Sequence, residues 1–160
     1  MTVTVFSDTH GCIGGMMRVI REIKPDVIIH LGDCERDTEK IKTEFPTTPL
    51  YSVCGNCDYS PRQPLTDTVN LGSVRAFITH GHIYNVKWGD LSRLAYAALE
   101  SGARIALFGH THCADALEMG GVTLINPGTA GMGKNKTYAY IETMPNGAFM
   151  YEIRDIGEKA

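Results

Sequence analysis

Five short clusters rich in Asp, His and Gly punctuate the chain, and each follows a run that reads as a buried β-strand. They are Asp8-Thr9-His10, Gly32-Asp33, Gly55-Asn56-Cys57-Asp58, Thr79-His80-Gly81-His82 and Gly109-His110-Thr111-His112, and they hold five of the six histidines. Side chains this far apart in sequence can meet only where strand ends converge. In open α/β sheets, ligands bind beyond the carboxyl ends of the strands, so the pattern asks for strands that finish side by side. Gly32, Gly55, Gly81 and Gly109 suit the sharp exits this requires.

The intervening sequence agrees. Val3–Phe6, Val27–Leu31 and Leu50–Cys54 are short apolar runs. Between them, Gly14–Ile23 places Met16, Val19, Ile20 and Ile23 at helical spacing before Pro25, and Asp37–Phe45 is a more polar helix closed by Pro46. This is β-α-β-α-β, the pattern of a parallel sheet covered by helices. Beyond Pro61 and Pro64 hairpins take over: Thr68–Leu71 with Val74–Thr79, Ala114–Glu118 with Val122–Ile125, and Thr137–Glu142 with Ala148–Ile153. A helix over Asp90–Ser101, capped by Gly102, precedes a strand over Arg104–Phe108. The C-terminal third is expected to be antiparallel, the tail 157–160 to be loose, and residues 1–160 to form one domain.

Composition excludes several functions. The net charge of -3 provides no basic field, so tight binding to nucleic acid is not expected. No apolar run is long enough to span a membrane, and the strand-like N-terminus does not read as a signal peptide. Five cysteines without a secretory signal point to reduced thiols and a cytoplasmic location.

Imidazole and carboxylate together suit Mn, Fe, Ni or Zn better than Ca or Mg alone. Two such ions would outweigh the carboxylates of Asp8 and Asp33 and leave a cationic site that attracts a small phosphate ester. Coordination also acidifies water toward neutral pH, which supplies a nucleophile.

The ordered set Asp-x-His, Gly-Asp, Gly-Asn-x-Asp, His-Gly-His and Gly-His-Thr-His resembles the calcineurin-like metallophosphoesterase superfamily. It is similar to the branch of small bacterial and archaeal phosphodiesterases related to vacuolar sorting protein 29. Trp88-Gly89-Asp90 and Asn126-Pro127-Gly128 extend the likeness. The resemblance implies an α/β fold, a four-layer α-β-β-α sandwich of two mixed sheets flanked by helices. It implies two divalent metal ions, Mn first and Ni, Fe or Zn as alternatives. Asp8, His10 and His112 would hold one ion, Asn56, His80 and His110 the other, and Asp33 would bridge them. A hydroxide bridging the ions would attack phosphorus. Cys57 stands where many members carry a general-acid His, so diesters and activated esters are the expected substrates. Asp58 and His82 are the candidates for supplying the proton, with Asp33 and Asn56 completing the catalytic set.

Several features have plainer readings. His30 reads as a satisfied core histidine. Cys54-x-x-Cys57 is followed by a poor helix opening, unlike a redox pair. Gly128–Lys134 nearly matches a phosphate-binding loop, but Asn135 replaces the required Ser or Thr. It is either a solvated Gly-rich turn or a loop facing substrate through Lys134 or Lys136. Tyr59, Tyr84 and Trp88 are candidates for a substrate mouth. All five cysteines lie beside the clusters, which suggests either small residues suited to tight turns or a redox-sensitive shell. The competing function is a non-catalytic interaction module like vacuolar sorting protein 29, a retromer subunit, which has lost a first-cluster ligand where this chain keeps His10. A homodimer is left open.

Overall fold

The computed structural model describes residues 1–59 and 61–157. Of the tail expected to be loose, residues 158–160 lie outside the described residues.

Two five-stranded sheets pack face to face. The strands of the first are β1 (Thr2–Phe6), β2 (Val27–His30), β3 (Leu50–Ser52), β9 (Thr137–Thr143) and β10 (Phe149–Asp155). Their order is β10-β9-β1-β2-β3, with β1, β2 and β3 parallel and β9 and β10 antiparallel. The second sheet uses β4 (Thr66–Leu71), β5 (Val74–Thr79), β6 (Ile105–Leu107), β7 (Ala114–Met119) and β8 (Val122–Pro127). Its order is β4-β5-β6-β8-β7, with β5, β6 and β8 parallel and antiparallel edges. Helices α1 (Gly14–Ile23) and α2 (Glu35–Glu44) cover the first sheet, and α3 (Ser92–Glu100) covers the second. The expected α/β four-layer sandwich is the architecture observed.

Strand periodicity explains the layers. Along β1 and β2, Val3, Val5, Val27 and Ile29 point between the sheets, where they meet Ala76, Ile78, Ile105 and Leu107. Phe6 and Ile28 point the other way, onto Met16 and Ile20 of α1 and Ile41 of α2. Phe77 and Ala106 do the same for Leu94 and Ala98 of α3. Both faces of the central strands are buried, which is why they read as near-continuous apolar runs.

Local expectations hold with physical exceptions. Helix α1 ends at Lys24, in the left-handed region (φ 51°), whose N–H bonds Ile20 O before Pro25 forbids another turn. Helix α2 starts at Glu35, two residues earlier than its spacing suggests, because a distant carboxylate caps it. Strand β3 stops at Ser52; Cys54 N–H bonds Pro64 O instead of continuing the ladder. The C-terminal third is not wholly antiparallel: β8 returns parallel to β6, in register from Ile105↔Thr123 to Leu107↔Ile125. A hairpin pattern reports only β7 and β8 and says nothing about the strand on the other side. No helix among the described residues is long and apolar enough to cross a membrane.

Candidate metal centre

All five clusters meet at one end of the sandwich. Asp8 and His10 leave β1, Asp33 leaves β2, Asn56 lies beyond β3, His80 follows β5, and His110 and His112 follow β6. Asp8, His10, Asp33 and His112 each offer one donor atom, all within 4.8 Å of one another. His112 Nε2 is 3.1 Å from Asp8 Oδ1 and 3.4 Å from His10 Nε2. Beside this group, His80 Nε2 stands 3.1 Å from Asn56 Oδ1 and 3.2 Å from His110 Nδ1. Asp33 faces both groups: Oδ2 is 3.7 Å from His10 Nε2 and Oδ1 is 3.5 Å from His80 Nε2. Metal–ligand bonds of about 2.1 Å put neighbouring ligands about 3.0 Å apart in an octahedron and about 3.4 Å in a tetrahedron. The 3.1–3.4 Å spacings fit ligands around an ion, and the two Asp33 distances, 3.5 and 3.7 Å, are slightly longer.

Three further observations fit a divalent cation. Asp8 is fully buried, and its Oδ1 accepts no aligned hydrogen bond although His112 Nε2 lies 3.1 Å away; a buried carboxylate oxygen left so is costly unless a cation lies between the two. His80 Nδ1 lies 2.8 Å from Leu31 O. A carbonyl only accepts, so Nδ1 carries the proton and Nε2 turns its lone pair to the centre. Finally, Asp8, His10, Asp33, His110 and His112 all have φ between 45° and 69°. Non-glycine residues held there cost of order 1–3 kcal/mol each, and such residues concentrate at functional sites.

The backbone between strands leaves no room for larger residues. A Cβ on Gly55 would collide with Asp33 Oδ1, and one on Gly109 with Ser7 Oγ and Asp8 Oδ2. Burial pushes the Asp33 carboxyl up, but the neighbouring His80, hydrogen bonds from Cys57 and the neighbouring His10 prevail and hold it below the ordinary range. Burial, then His80 and Lys87, push His110 down to about 4. Burial and nearby carboxylates raise the thiols of Cys34 and Cys57. That disfavours the thiolate form that oxidants attack.

The other expected participants fall beside this core. His82 has its ring centre 5.4 Å from that of His80 and 6.1 Å from that of His110, with a buried, unpartnered Nδ1. Burial, followed by His80, lowers its pKa. Asp58 turns away from the cluster. Its Oδ1 accepts from Cys34 N–H (2.9 Å) and Glu35 N–H (2.7 Å), and its Oδ2 from Asp33 N–H (3.1 Å) and Gly55 N–H (2.8 Å). His30 is buried as expected: Nδ1 accepts from Gly32 N–H at 3.3 Å and Nε2 meets Thr9 Oγ1 at 3.0 Å, tying the first two clusters.

Two positioning groups lie outside the expected set of site residues. Buried Asn126 donates to Gly109 O (3.0 Å) and Thr111 Oγ1 (2.9 Å), holding the loop that carries His110 and His112. Thr129 Oγ1 donates to Asp8 O at 2.9 Å, and Gly131 packs on the Thr9 backbone. The first half of the Gly128–Lys134 loop is therefore neither a solvated turn nor a phosphate cradle. It buttresses the first cluster. For Asn126 the hints were a polar residue ending a buried strand and its place in the Asn126-Pro127-Gly128 run that extends the family likeness.

Fold and site together define a metal-dependent hydrolase architecture. Residues 1–145 match the calcineurin-like phosphoesterase superfamily domain, and the chain belongs to that family. A probable metallophosphoesterase of Bacillus subtilis is 33% identical over 160 residues, covering 97% of this chain and 91% of its own. Vacuolar protein sorting-associated protein 29 of Schizosaccharomyces pombe is 37% identical over 103 residues, 64% of this chain and 54% of that one. A structure from Streptococcus pneumoniae, described as a predicted phosphoesterase, superposes with TM-score 0.76 at 25% identity, covering 96% and 97% of the two chains. The family assignment supports a hydrolase acting on phosphoester bonds with a divalent metal.

Proposed function

We propose that this chain, as one domain, is a phosphodiesterase that works with two divalent ions, Mn first among Mn, Ni, Fe and Zn. Asp8, His10 and His112 would hold one ion, Asn56, His80 and His110 the other, and Asp33 would serve both. The observation that carries this reading is the spacing of donor atoms from five strand ends, 3.1–3.9 Å between neighbours. Bound ions would supply Lewis acidity, which acidifies water and neutralises charge on the phosphoryl group.

The chain's own residues do the rest. Leu31 O keeps the His80 proton on Nδ1, so Nε2 remains a donor to the centre. The low pKa of His110, about 4, keeps it neutral and ligating at physiological pH. The buried backbone of β1, β2 and β6 fixes the donors before substrate arrives, so little reorganisation remains at the reaction. His82, whose ring lies beside those of His80 and His110, is the group we assign to contact the phosphoryl or leaving oxygen. Asp58 has both oxygens committed to backbone N–H groups, and we assign it positioning rather than proton delivery. With Cys57 at its side and no dedicated acid, esters with poor leaving groups lose the ~10²–10⁴-fold that general acid catalysis contributes. Small diesters with activated leaving groups are the favoured class.

The test is metal analysis together with hydrolysis of bis(p-nitrophenyl) phosphate. The expected result is about two ions per chain and Mn-dependent turnover, with His112→Ala and Asp33→Asn each reducing turnover about 10²-fold or more. Activity retained in both variants overturns the assignment. The similarity to vacuolar protein sorting-associated protein 29 supplies the rival reading, a non-catalytic interaction module. Full metal loading without turnover of any ester selects that one.

A further inference from the structure

We propose that the hollow beside Cys57, walled by Arg36 and Tyr59, is a subsite for one arm of the diester, an arm carrying a flat ring and a second anionic group. This rests on the phosphodiesterase reading and names its substrate class.

The hollow measures about 370 Å³ and is lined by Cys34, Glu35, Arg36, Cys57, Asp58 and Tyr59. It adjoins the centre directly, because Cys57 N–H bonds Asp33 Oδ1 at 2.9 Å. Its volume lies at the small end of the ~300–1,000 Å³ typical of small-molecule pockets. That volume accommodates one ring-bearing arm.

The charges in the wall are unequal in availability. Asp58 is engaged by four backbone N–H groups, and Glu35 Oε1 accepts from Arg62 N–H at 3.1 Å. Arg36, exposed at the first turn of α2, forms no ion pair among the described residues. Its guanidinium presents a planar fork of donors that matches phosphate or carboxylate and also stacks on rings. Tyr59 is 93% exposed, so one aromatic face is open to stack on a planar group. The protein's net charge of -3 gives no general attraction for anions. A second anionic group would be recognised locally, by this one cation. A metal pair beside a guanidinium and an open ring suits a nucleotide-like ester better than a bare alkyl diester.

The experiment compares two esters with the same scissile bond: thymidine 5′-(p-nitrophenyl phosphate) with and without a 3′-phosphate. In the Mn-loaded wild type, the 3′-phosphorylated ester is expected to have about ten-fold higher kcat/KM. Arg36→Ala brings that ratio close to one, Arg36→Lys restores part of it, and Tyr59→Ala lowers the preference for both nucleotide esters over methyl p-nitrophenyl phosphate, whose retained arm has no ring. Binding of thymidine 3′,5′-bisphosphate is measured by calorimetry in parallel, with and without Mn, and is expected to weaken about ten-fold in Arg36→Ala. A wild-type ratio near one, or a ratio and bisphosphate affinity unchanged in Arg36→Ala, overturns the subsite. Turnover of no ester, with bisphosphate binding still lost in Arg36→Ala, supports the subsite and sinks the phosphodiesterase reading instead.

Discussion

Asp58 stitches the second and third clusters together through backbone N–H groups. By accepting from Asp33, Cys34, Glu35 and Gly55 it caps α2 and fixes the turn that aims the Asp33 carboxylate. Asp58→Ala is expected to cost about 2–4 kcal/mol in urea unfolding of the metal-free protein, because four donors lose their acceptor. It should also weaken Mn binding about 10–100-fold. Unchanged Mn affinity in a folded Asp58→Ala protein would show that the clamp does not govern the centre. At this scale the residue types were legible in sequence: Asp, Asn and His at strand ends belong to metal chemistry. Their division of labour was not, because Asp58 and Asp33 carry the same group and differ only in what surrounds it.

Among the elements, β1 and β2 do most to fix the centre, and one exposed clasp ties their starts together. Thr2 N–H and its hydroxyl donate to Asp26 Oδ2 at 2.7 and 3.1 Å. Those bonds, the backbone one first, hold the Asp26 carboxyl below its ordinary range. A lowered folded pKa means stabilisation that is present above the unfolded value of about 3.9 and lost as pH falls through the lower folded value. Asp26→Ala is therefore expected to destabilise by no more than about 0.5–1 kcal/mol near neutral pH. The difference from wild type should shrink as pH falls below the unfolded value and through the lower folded one, as read by denaturant titrations across pH. A difference independent of pH would mean the loss is packing rather than charge. Helix periodicity located α1 and α3 because an apolar stripe is a local signal. It set the start of α2 two residues late, since the cap that starts it comes from the third cluster.

For the molecule as a whole, the metal centre is a strained seam between the sheets that ion binding should relieve. An ion present at a hundredfold its Kd contributes about 2.7 kcal/mol. In a chain of this length that corresponds to roughly 5–10 °C in Tm per site. Chelation should lower Tm by at least that much. Asp8→Asn removes a buried charge whose Oδ1 accepts no aligned hydrogen bond, so it should raise the metal-free Tm while reducing the response to chelator. Calorimetric scans of both proteins with and without EDTA check this, and a less stable metal-free Asp8→Asn would refute the strain argument. The sequence by itself determined the parallel β-α-β-α-β start, the helical faces and the set of residues fit to bind metal. Those properties depend on periodicity and side-chain chemistry within a few residues. The tertiary structure alone decided that β8 runs beside β6, that Asn126 and Thr129 brace the clusters, that Asp58 clamps backbone, and that Arg36 and Tyr59 wall a hollow beside the centre. Each of these depends on which distant segments become neighbours, and the long-range contacts that settle it leave no periodic trace along the chain.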